Sequence, residues 1–439
     1  MDDQGVNLST AWYRYYADAH LCPASKTPCF VYATLPENAL NEVFINFHVN
    51  LESCKDGLCF PTFEYREGVP SSRFEAFSDA MTARAVRTEY RSPDSESTKR
   101  HIFTVLLKDL KPNTVYSFRV LESNWDSRRA QVYTYKTFNV NNMTIINGGD
   151  IGNNDLATQM IENVVGKVDA DLMMSGGDTA YDQNSPSCFR AWDYLMRRLP
   201  LSKLDPATGT IRVIPMMFST GNHDLGMSTY DGNVLRLNTH EPVFMHYYPQ
   251  NTENGDVPRL HARKPYFSQG KGGQILFLNL DVGYAGPMDG EQAEFIERTL
   301  SQSTAKVKIA QYHGPIYTAC KQNSEFDAKA IEFGLKHWIP LFDKYNMTVV
   351  FENHTHAFKR TKRVKYGKVH PEGTTYLGEG AWGTVKSEGD CNYVNVEIHE
   401  KVLTVTNAWI VHIDASKGVT AKAYKNDGEE IDSVFIPVE

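Results

Sequence analysis

The feature that most constrains the fold is a recurring junction at which a short apolar run ends abruptly in glycine and polar residues. The first junction follows the apolar run Met143 to Ile146, and its glycine-rich segment 147–152 carries Asp150. Short apolar runs bounded by turn residues predict buried strands. In α/β sheets, ligands bind beyond the carboxyl ends of the strands, so the junction is predicted to present Asp150 at a functional site.

Four further junctions follow along the chain, after apolar runs at 172–174, 213–218, 307–310 and 347–351. Ligand chemistry gathers beyond strand ends, so the side chains at these junctions are predicted to belong together. Any one of the motifs is weak evidence, but five in one chain indicate a single site. In chain order the junctions supply Asp150, Asp178 with Tyr181, Asn222 with His223, His313, and His354 with His356.

This set of oxygen and imidazole donors suits two metal ions held about 3.5–4 Å apart, the arrangement that hydrolyses phosphate esters. One carboxylate must then bridge the ions, and Asp178 is the natural bridge because Tyr181 lies three residues further on. A phenolate is a hard ligand that only a strongly polarising ion such as Fe(III) keeps deprotonated near neutral pH. If Tyr181 is instead an ordinary buried tyrosine, the same site predicts a di-zinc, di-manganese or iron–zinc phosphoesterase.

The chain of 439 residues is predicted to form two domains, because one hydrophobic core rarely extends over this length. Residues 1–140 have the alternation of an all-β domain, and Leu110 to Tyr116 has the pattern of a tyrosine corner. Strands and amphipathic helices then alternate, which predicts an α/β catalytic domain over 141–412, completed by a β segment over 413–439. Predicted elements include a helix capped by Asp155, a helix that begins at Glu291, a helix over 328–345 that breaks near Pro340, and a β-hairpin of 393–398 with 402–409.

Composition and charge argue against several classes of function. The 45 basic and 53 acidic residues leave a net charge of -8, which does not support nucleic acid as a bulk partner or an acidic membrane surface. No apolar run approaches the roughly 20 residues that a membrane-spanning helix needs. The start, Met1 to Gln4, has neither the basic region nor the apolar core of a signal peptide, so a cytosolic protein or a start after processing is expected.

Seven cysteines, four of them in two closely spaced pairs, weakly favour an oxidising compartment. Cys54 and Cys59 bracket an Asp-Gly turn signal, and Cys22 and Cys29 bracket residues 23–28, so a small disulfide loop is expected at each pair. Buried free thiols are the alternative for all of the cysteines. The unassigned cysteines are Cys188, Cys320 and Cys391, and glycosylation sequons begin at Asn7, Asn142 and Asn346.

The order and spacing of the polar motifs match a known family. The motifs are Asp150-Ile151-Gly152, Gly177-Asp178-x-x-Tyr181, Gly221-Asn222-His223-Asp224, His313 and Asn353-His354-x-His356. This set resembles the purple acid phosphatases, a branch of the metallophosphoesterases. The resemblance to the larger, plant-type members of this family extends over nearly the whole chain. The resemblance implies an α/β (α+β) two-sheet metallophosphoesterase sandwich with a separate N-terminal all-β fibronectin III-like domain and a short carboxy-terminal β segment.

The resemblance also implies a role for each residue of the site. A ferric ion would be held by Asp150, Tyr181, His356 and the bridging Asp178, and a divalent ion (Zn, Fe or Mn) by Asp178, Asn222, His313 and His354. His223 would bind no metal and would face the substrate phosphate beside Asn222, where it hydrogen-bonds an oxygen or assists the leaving group. The nucleophile would be a metal-bound hydroxide, which Fe(III) keeps available at low pH.

The chain departs from the family pattern after His313. Plant-type members carry two adjacent histidines about ten residues further on, which contact the substrate and serve as a candidate general acid. Here that spacing reaches Gln322 and Asn323, and no histidine lies between His313 and His337. Protonation of the leaving group would then fall to His223 or to another loop residue.

The resemblance implies an acid phosphatase that hydrolyses monoesters of small phosphorylated molecules and is secreted to the cell exterior or to a lysosome or vacuole. A phosphodiesterase or nucleotide pyrophosphatase of the same superfamily is the first alternative, because the histidine pair is lost and the segment 229–263 is long. A non-catalytic secreted binding module is the second, although all seven ligand positions are filled. The sequence does not determine the oligomeric state, and a homodimer is compatible with it.

Overall fold

The computed structural model describes residues 22, 28–89, 100–123, 125–181, 189–199, 202–224, 243–270, 272–322 and 324–438. The sequence predictions made for Asn7, Cys188 and Asn323 fall outside these residues. Among the described helices, none combines the length and apolar character needed to cross a membrane.

The described residues before position 141 form strands and short 3-10 turns, and strands alternate with α-helices after it. The strands of the first region are β1 (Cys29–Thr34), β2 (Val43–Asn50), β3 (Thr62–Glu67), β4 (Met81–Ala83), β5 (Ala85–Glu89), β6 (Arg100–Leu107), β7 (Val115–Leu121) and β8 (Tyr133–Lys136). The strands of the second region are β9 (Asn142–Gly148), β10 (Leu172–Ser175), β11 (Ser202–Leu204), β12 (Ile211–Val213), β13 (Pro215–Phe218), β14 (Phe267–Gln269), β15 (Ile275–Asn279), β16 (Val307–Gln311), β17 (Val349–Glu352), β18 (Phe358–Lys365), β19 (Lys368–Val369), β20 (Thr374–Gly378), β21 (His399–Leu403), β22 (Ala408–Asp414), β23 (Gly418–Tyr424) and β24 (Glu430–Pro437). The helices are α1 (Asp155–Asn163), α2 (Phe189–Arg198), α3 (Val243–Tyr247), α4 (Glu291–Ser301), α5 (Glu325–His337) and α6 (Ile339–Lys344).

Of the three sheets that the described residues form, the first and the third have parallel centres, and the first includes strands from both regions. The first sheet has the order β24-β23-β22-β9-β10-β13-β1-β2-β6-β5, in which β9, β10, β13 and β1 run parallel. The third sheet has the order β14-β15-β16-β17-β20-β18-β19, with β21 beside β18, and β15, β16, β17 and β20 run parallel. Parallel neighbours bring their carboxyl ends to the same edge, which is where the sequence predicts the site.

Successive side chains of these central strands face two different cores, as the pleat of a strand requires. One core, between the two sheets, contains residues such as Met174 and Met217 from the first sheet with Ile309 and Phe351 from the third. The residues that alternate with them, such as Met173, pack in a second core that includes side chains of helices α1, α2 and α4. The predicted two-sheet α/β sandwich is confirmed.

The amino-terminal strands are hydrogen-bonded to strands of the second region. Strand β1 pairs in parallel with β13, where Ala33 faces Pro215, and β8 pairs in parallel with β12, where Tyr133 faces Ile211. The second sheet accordingly has the order β11-β12-β8-β7-β3-β4. The predicted all-β character of the amino-terminal region is confirmed, and the division of the chain after residue 140 and again after residue 412 stays a prediction.

Local features of the amino-terminal region match the sequence predictions. Tyr116 Oη accepts a hydrogen bond of 2.9 Å from the backbone N–H of Lys111, which is the tyrosine-corner contact. Disulfides close the two short loops at Cys22–Cys29 and Cys54–Cys59. A further disulfide in the described part of the chain, Cys320–Cys391, was not predicted as a pair.

The predicted β-hairpin near the carboxyl end is wrong. His399–Leu403, expected to contain the turn, is a strand that pairs with β18 in the third sheet. Ala408–Asp414 pairs instead with β9 in the first sheet. Residues 394–398, in the first arm of the predicted hairpin, form no strand. The second arm is divided between β21 and β22, which lie in different sheets because each pairs with a strand distant in the chain. The predicted helix over 328–345 is divided into α5 and α6 beside Trp338, two residues before Pro340.

Candidate metal centre

The site lies where the carboxyl ends of strands from two sheets meet. Strands β9, β10 and β13 approach it from the first sheet, and β16 and β17 approach it from the third. All five sequence junctions are therefore brought to one place. Beyond β9 lies Asp150, beyond β10 lie Asp178 and Tyr181, beyond β13 lie Asn222 and His223, beyond β16 lies His313, and beyond β17 lie His354 and His356.

Two sets of acid and imidazole side chains are arranged to hold metal ions. One set is Asp178, His313 and His354, and the other is Asp150, Asp178 and His356. Within each set, the ligand atoms lie within 4.8 Å of one another. Because Asp178 belongs to both sets, its carboxylate has the position of a bridge between two ions.

Asn222 and Tyr181, the candidates that are neither carboxylates nor imidazoles, each lie beside one of these sets. Asn222 Oδ1 lies 3.2 Å from His313 Nε2 and 3.0 Å from His354 Nδ1. Tyr181 Oη lies 3.1 Å from His356 Nε2 and 3.3 Å from Asp150 Oδ1. We call Asp178, Asn222, His313 and His354 the first ligand group, and Asp150, Asp178, Tyr181 and His356 the second ligand group.

The chemistry of the bridging position fits a pair of cations. Asp178 Oδ2 is buried and accepts no hydrogen bond, although His313 Nε2 lies 3.2 Å away. His313 Nδ1 lies 2.9 Å from the carbonyl oxygen of Gly176. If that carbonyl accepts the N–H of a neutral imidazole, Nε2 keeps its lone pair, and two acceptor atoms then face each other. A buried carboxylate oxygen without a donor is costly, and a cation between the two acceptors removes the cost.

The electrostatic surroundings of Tyr181 oppose ionisation of its phenol. Burial raises the pKa of Tyr181 well above its usual value, and the carboxylates of Asp150 and Asp178 raise it further. The phenol therefore becomes a ligand anion only beside a strongly polarising ion.

The backbone turns sharply at the site residues. Five of them have positive φ, a conformation that few non-glycine residues adopt but in which Asp and His are enriched. These residues lie in the turns that follow the strand ends, so the backbone of the site is held in an unusual conformation. The residues are Asp150 (φ 55°), Asp178 (φ 48°), Tyr181 (φ 44°), His354 (φ 77°) and His356 (φ 60°).

His223 lies at the site without joining either ligand group. Its ring stacks on Tyr181 with centroids 4.5 Å apart, and its backbone N–H donates to Asp178 Oδ1 at 2.8 Å. Burial lowers the pKa of His223 below its usual value. The side chain is thus held beside both ligand groups as an imidazole that contributes no ligand atom to them.

Asp224, which sequence analysis did not assign to the site, holds its loops in place. Asp224 Oδ1 accepts the backbone N–H groups of Thr179 and Ala180 at 2.9 and 3.2 Å, and its Oδ2 accepts that of Gly221 at 2.9 Å. Burial raises the pKa of Asp224 to about 7, and the charge of Asp178 contributes. A carboxylate directly after the asparagine–histidine motif was the signal for this role.

Gln322 lies at the position where the family resemblance predicts a histidine, and its amide makes structural hydrogen bonds. Its Nε2 lies within 3.2 Å of Thr318 Oγ1, 3.0 Å of the Cys320 carbonyl and 3.1 Å of Thr355 Oγ1. These contacts tie the loop after His313 to the turn that carries the paired histidines. An amide has no titratable proton, so Gln322 cannot act as a general acid.

Comparisons with known proteins agree with this geometry. Residues 143–358 match the calcineurin-like phosphoesterase family. Purple acid phosphatase 15 of Arabidopsis thaliana is 25% identical over 315 residues, which cover 64% of this chain and 53% of that protein. The chain thus spans about half the length of this curated relative.

Solved structures show the same fold at low identity. The purple acid phosphatase PPD1 from yellow lupin (Lupinus luteus) superposes with a TM-score of 0.70 at 17% identity, covering 93% of this chain and 74% of that one. PhoD superposes with a TM-score of 0.64 at 14% identity and covers 94% of each chain.

The family match extends from β9 to the start of β18 and so contains all five strand ends and every residue of the two ligand groups. The fold, the site and the family match therefore agree with one another. The chain carries a calcineurin-like phosphoesterase domain, and its resemblance to the purple acid phosphatases is confirmed.

Proposed function

We propose that this protein is a binuclear metal-dependent acid phosphatase that hydrolyses phosphate monoesters of small molecules. The observation that carries the proposal is Asp178, which is shared between two ligand sets at one site. We assign Fe(III) to the second ligand group, because Tyr181 belongs to it, and a divalent ion (Zn, Fe or Mn) to the first.

The residues of the two ligand groups also orient one another. The backbone N–H of His354 donates to Asp150 Oδ2 at 2.8 Å, so a residue of the first group holds a residue of the second. Metal ions bound at the two groups acidify a water molecule and neutralise the charge that develops on the phosphoryl oxygens. The turns keep the ligand atoms in place before substrate arrives, which avoids reorganisation during the reaction.

We assign His223 and Asn222 to the substrate. His223 is fixed by its stack on Tyr181, and an imidazole there can hydrogen-bond a phosphate oxygen or pass a proton to the leaving alcohol. Asn222 directs Oδ1 toward the histidines of the first ligand group, which leaves its amide N–H groups as donors for a phosphate oxygen.

A phosphoanhydride or phosphodiester substrate is the second candidate, and Gln322 is the observation that favours it. This amide replaces a histidine that would protonate an alcohol, and its hydrogen bonds hold it in the loop. Leaving groups of low pKa, such as nucleoside phosphates, depart without being protonated, so their release does not require a general acid in the site.

We infer that the protein works in an oxidising compartment, either secreted or in a lysosome or vacuole. The disulfides of the described residues support this inference, because such bonds persist where thiols are not kept reduced. The exposed positions of Asn142 and Asn346 make both sequons accessible to glycosylation.

The first test is a visible absorption spectrum with metal analysis on the same purified sample, repeated on Tyr181→Phe. Tyr366→Phe, at the exposed tip between β18 and β19, is the matched control. We expect iron plus a second metal, and a charge-transfer colour that Tyr181→Phe bleaches and Tyr366→Phe leaves unchanged. Two metals without a Tyr181-dependent colour would retain a phosphoesterase but remove the ferric assignment. A site that stays empty under metal-saturating conditions would favour the binding module.

The second test compares rates at acid pH for p-nitrophenyl phosphate, bis(p-nitrophenyl) phosphate and ADP. A monoesterase hydrolyses the first substrate fastest. Preference for the diester or for the anhydride would instead select the second candidate.

A further inference from the structure

The two ring nitrogens of His354 face chemically different surroundings. Nδ1 lies 3.0 Å from Asn222 Oδ1 and 3.3 Å from His313 Nε2, inside the first ligand group. Nε2 faces away from the group and lies 3.4 Å from Asp327 Oδ1. The side chains of His354 and Asp327 are only 12% and 9% exposed, so the contact is largely shielded from water.

A neutral imidazole carries a proton on one nitrogen and a lone pair on the other. A carboxylate beside Nε2 stabilises the N–H at that atom and leaves the lone pair on Nδ1. Outer partners of this kind orient ligating histidines and raise their basicity. The contact with Asp327 therefore selects the form of His354 that binds a cation at the first ligand group.

His313 has a corresponding partner of a different kind. Its Nδ1 lies 2.9 Å from the Gly176 carbonyl, a backbone atom directly after β10. The partner of His354 is instead a charged side chain from helix α5, which lies outside the five strand junctions. The first ligand group therefore depends on an element that the motifs do not include.

Asp327 is itself held at the first turn of α5. Its backbone N–H donates to Ser324 Oγ at 3.0 Å, and its Oδ2 accepts the Ser324 hydroxyl at 2.5 Å. This reciprocal arrangement caps the helix and occupies one carboxylate oxygen. The other oxygen, Oδ1, is the one nearest to His354. The loop before α5 also contacts the turn that carries His354, because Gln322 Nε2 lies 3.1 Å from Thr355 Oγ1.

We propose that Asp327 is a positioning residue of the metal centre, which orients His354 and selectively strengthens binding of the ion at the first ligand group. The proposal rests on the metal-dependent function proposed above. It assigns Asp327 no contact with substrate, and it leaves the ion at the second ligand group unaffected.

The experiment measures the affinity of each ion by competition with a chelator in the full chain, using Co(II) as the probe of the first ligand group. Asp327→Ala removes the carboxylate, and Asp327→Asn keeps an oxygen that accepts from Nε2–H. We expect Co(II) binding to weaken about 10–100-fold in Asp327→Ala and less in Asp327→Asn. The Tyr181-dependent absorption reports the second ligand group and is expected to stay unchanged in both variants.

Two control variants separate the contact with His354 from general effects on the helix. Glu325→Gln removes an equal charge from the same helix turn, where the side chain is 84% exposed and pairs with Lys329, and it is expected to leave Co(II) affinity unchanged. Ser324→Ala removes the helix cap but keeps the carboxylate, and it is expected to lower the thermal midpoint with a smaller loss of Co(II) affinity than Asp327→Ala.

The proposal is overturned if Asp327→Ala binds Co(II) as the wild type does, if both ions weaken equally, or if Ser324→Ala weakens Co(II) as much as Asp327→Ala. If Asp327→Ala does not fold, the Asp327→Asn variant carries the same comparison. A wild-type protein that binds no metal would refute the proposed function itself. A wild type with two ions and an unchanged variant would refute only the role of Asp327.

Discussion

Gly380 occupies a position at the metal centre where no side chain fits. A Cβ atom added there would lie 1.7 Å from Asp150 Oδ2, and the residue has φ 64°. We predict that Gly380→Ala displaces Asp150 and removes the ion of the second ligand group, with a lower thermal midpoint. Metal analysis and thermal unfolding check this outcome.

Gly367→Ala is the control for backbone conformation alone. Gly367 has a similar φ of 70°, but no atom lies within 4 Å of its added Cβ. We expect Gly367→Ala to lose some stability because an L residue is strained there, and to keep its full metal content. Equal metal loss in both variants would show that conformation, rather than the clash with Asp150, explains the first result.

A substitution of His223 tests catalysis separately from metal binding. Because its side chain joins neither ligand group, we predict that His223→Ala keeps both ions and loses roughly 10²-fold or more in kcat. His412→Ala, at an exposed histidine on β22, is the control and should retain full activity. Loss of metal in His223→Ala would mean that the imidazole is a ligand and would contradict the assignment.

At the scale of elements, the Cys320–Cys391 disulfide joins the loop after β16 to the loop before β21. It closes a chain segment with a sequence separation of 71, against 5 for Cys54–Cys59. Loop-closure entropy then predicts that replacing Cys320 and Cys391 by alanine lowers the free energy of unfolding by about 4 kcal/mol. Replacing Cys54 and Cys59 by alanine is predicted to lower it by about 2 kcal/mol. Urea unfolding of the two double variants measures both losses. An equal or reversed order would contradict the chain-entropy explanation.

The elements that were predicted well are those with a local signal. Helix α4 begins at Glu291 as expected, and the apolar runs before the five junctions are strands. The hairpin prediction failed at β21 because pairing depends on which strand lies alongside, and β18 is more than thirty residues earlier in the chain. Asp327 was missed for a related reason, since its helix contacts His354 only after both sheets are assembled.

At the scale of the whole molecule, a buried ion pair joins the amino-terminal region to the helices of the second region. Arg100 on β6 donates from both Nη atoms to Asp193 on α2, each at 2.8 Å. Tyr247 on α3 adds a hydrogen bond of 2.7 Å from its hydroxyl to Asp193 Oδ1. Together with the β1–β13 pairing, these contacts make one continuous structure of both regions.

We predict that Asp193→Ala costs about 3–5 kcal/mol, because it leaves the buried guanidinium of Arg100 without its counterion. Arg128→Ala breaks an exposed pair with Asp126 and should change stability too little to measure. Calorimetry of the wild type is expected to give a single unfolding transition. Two separate transitions, with Asp193→Ala shifting neither, would show that the two regions fold independently.

The polar residues of the metal centre could be predicted from the sequence because each of them follows its strand within a few positions. The glycines and charged residues that mark such strand ends are a local signal. Alternation and period, which are also local, predicted the types of the elements, and the resemblance of the motifs to a known family implied the two-sheet arrangement. Sequence reasoning did not reach the partner of Cys320, the contact between Asp327 and His354, or the pairing of β1 with β13. Each of these joins residues far apart in the chain, and such contacts form only once the packing of the two sheets brings the elements together.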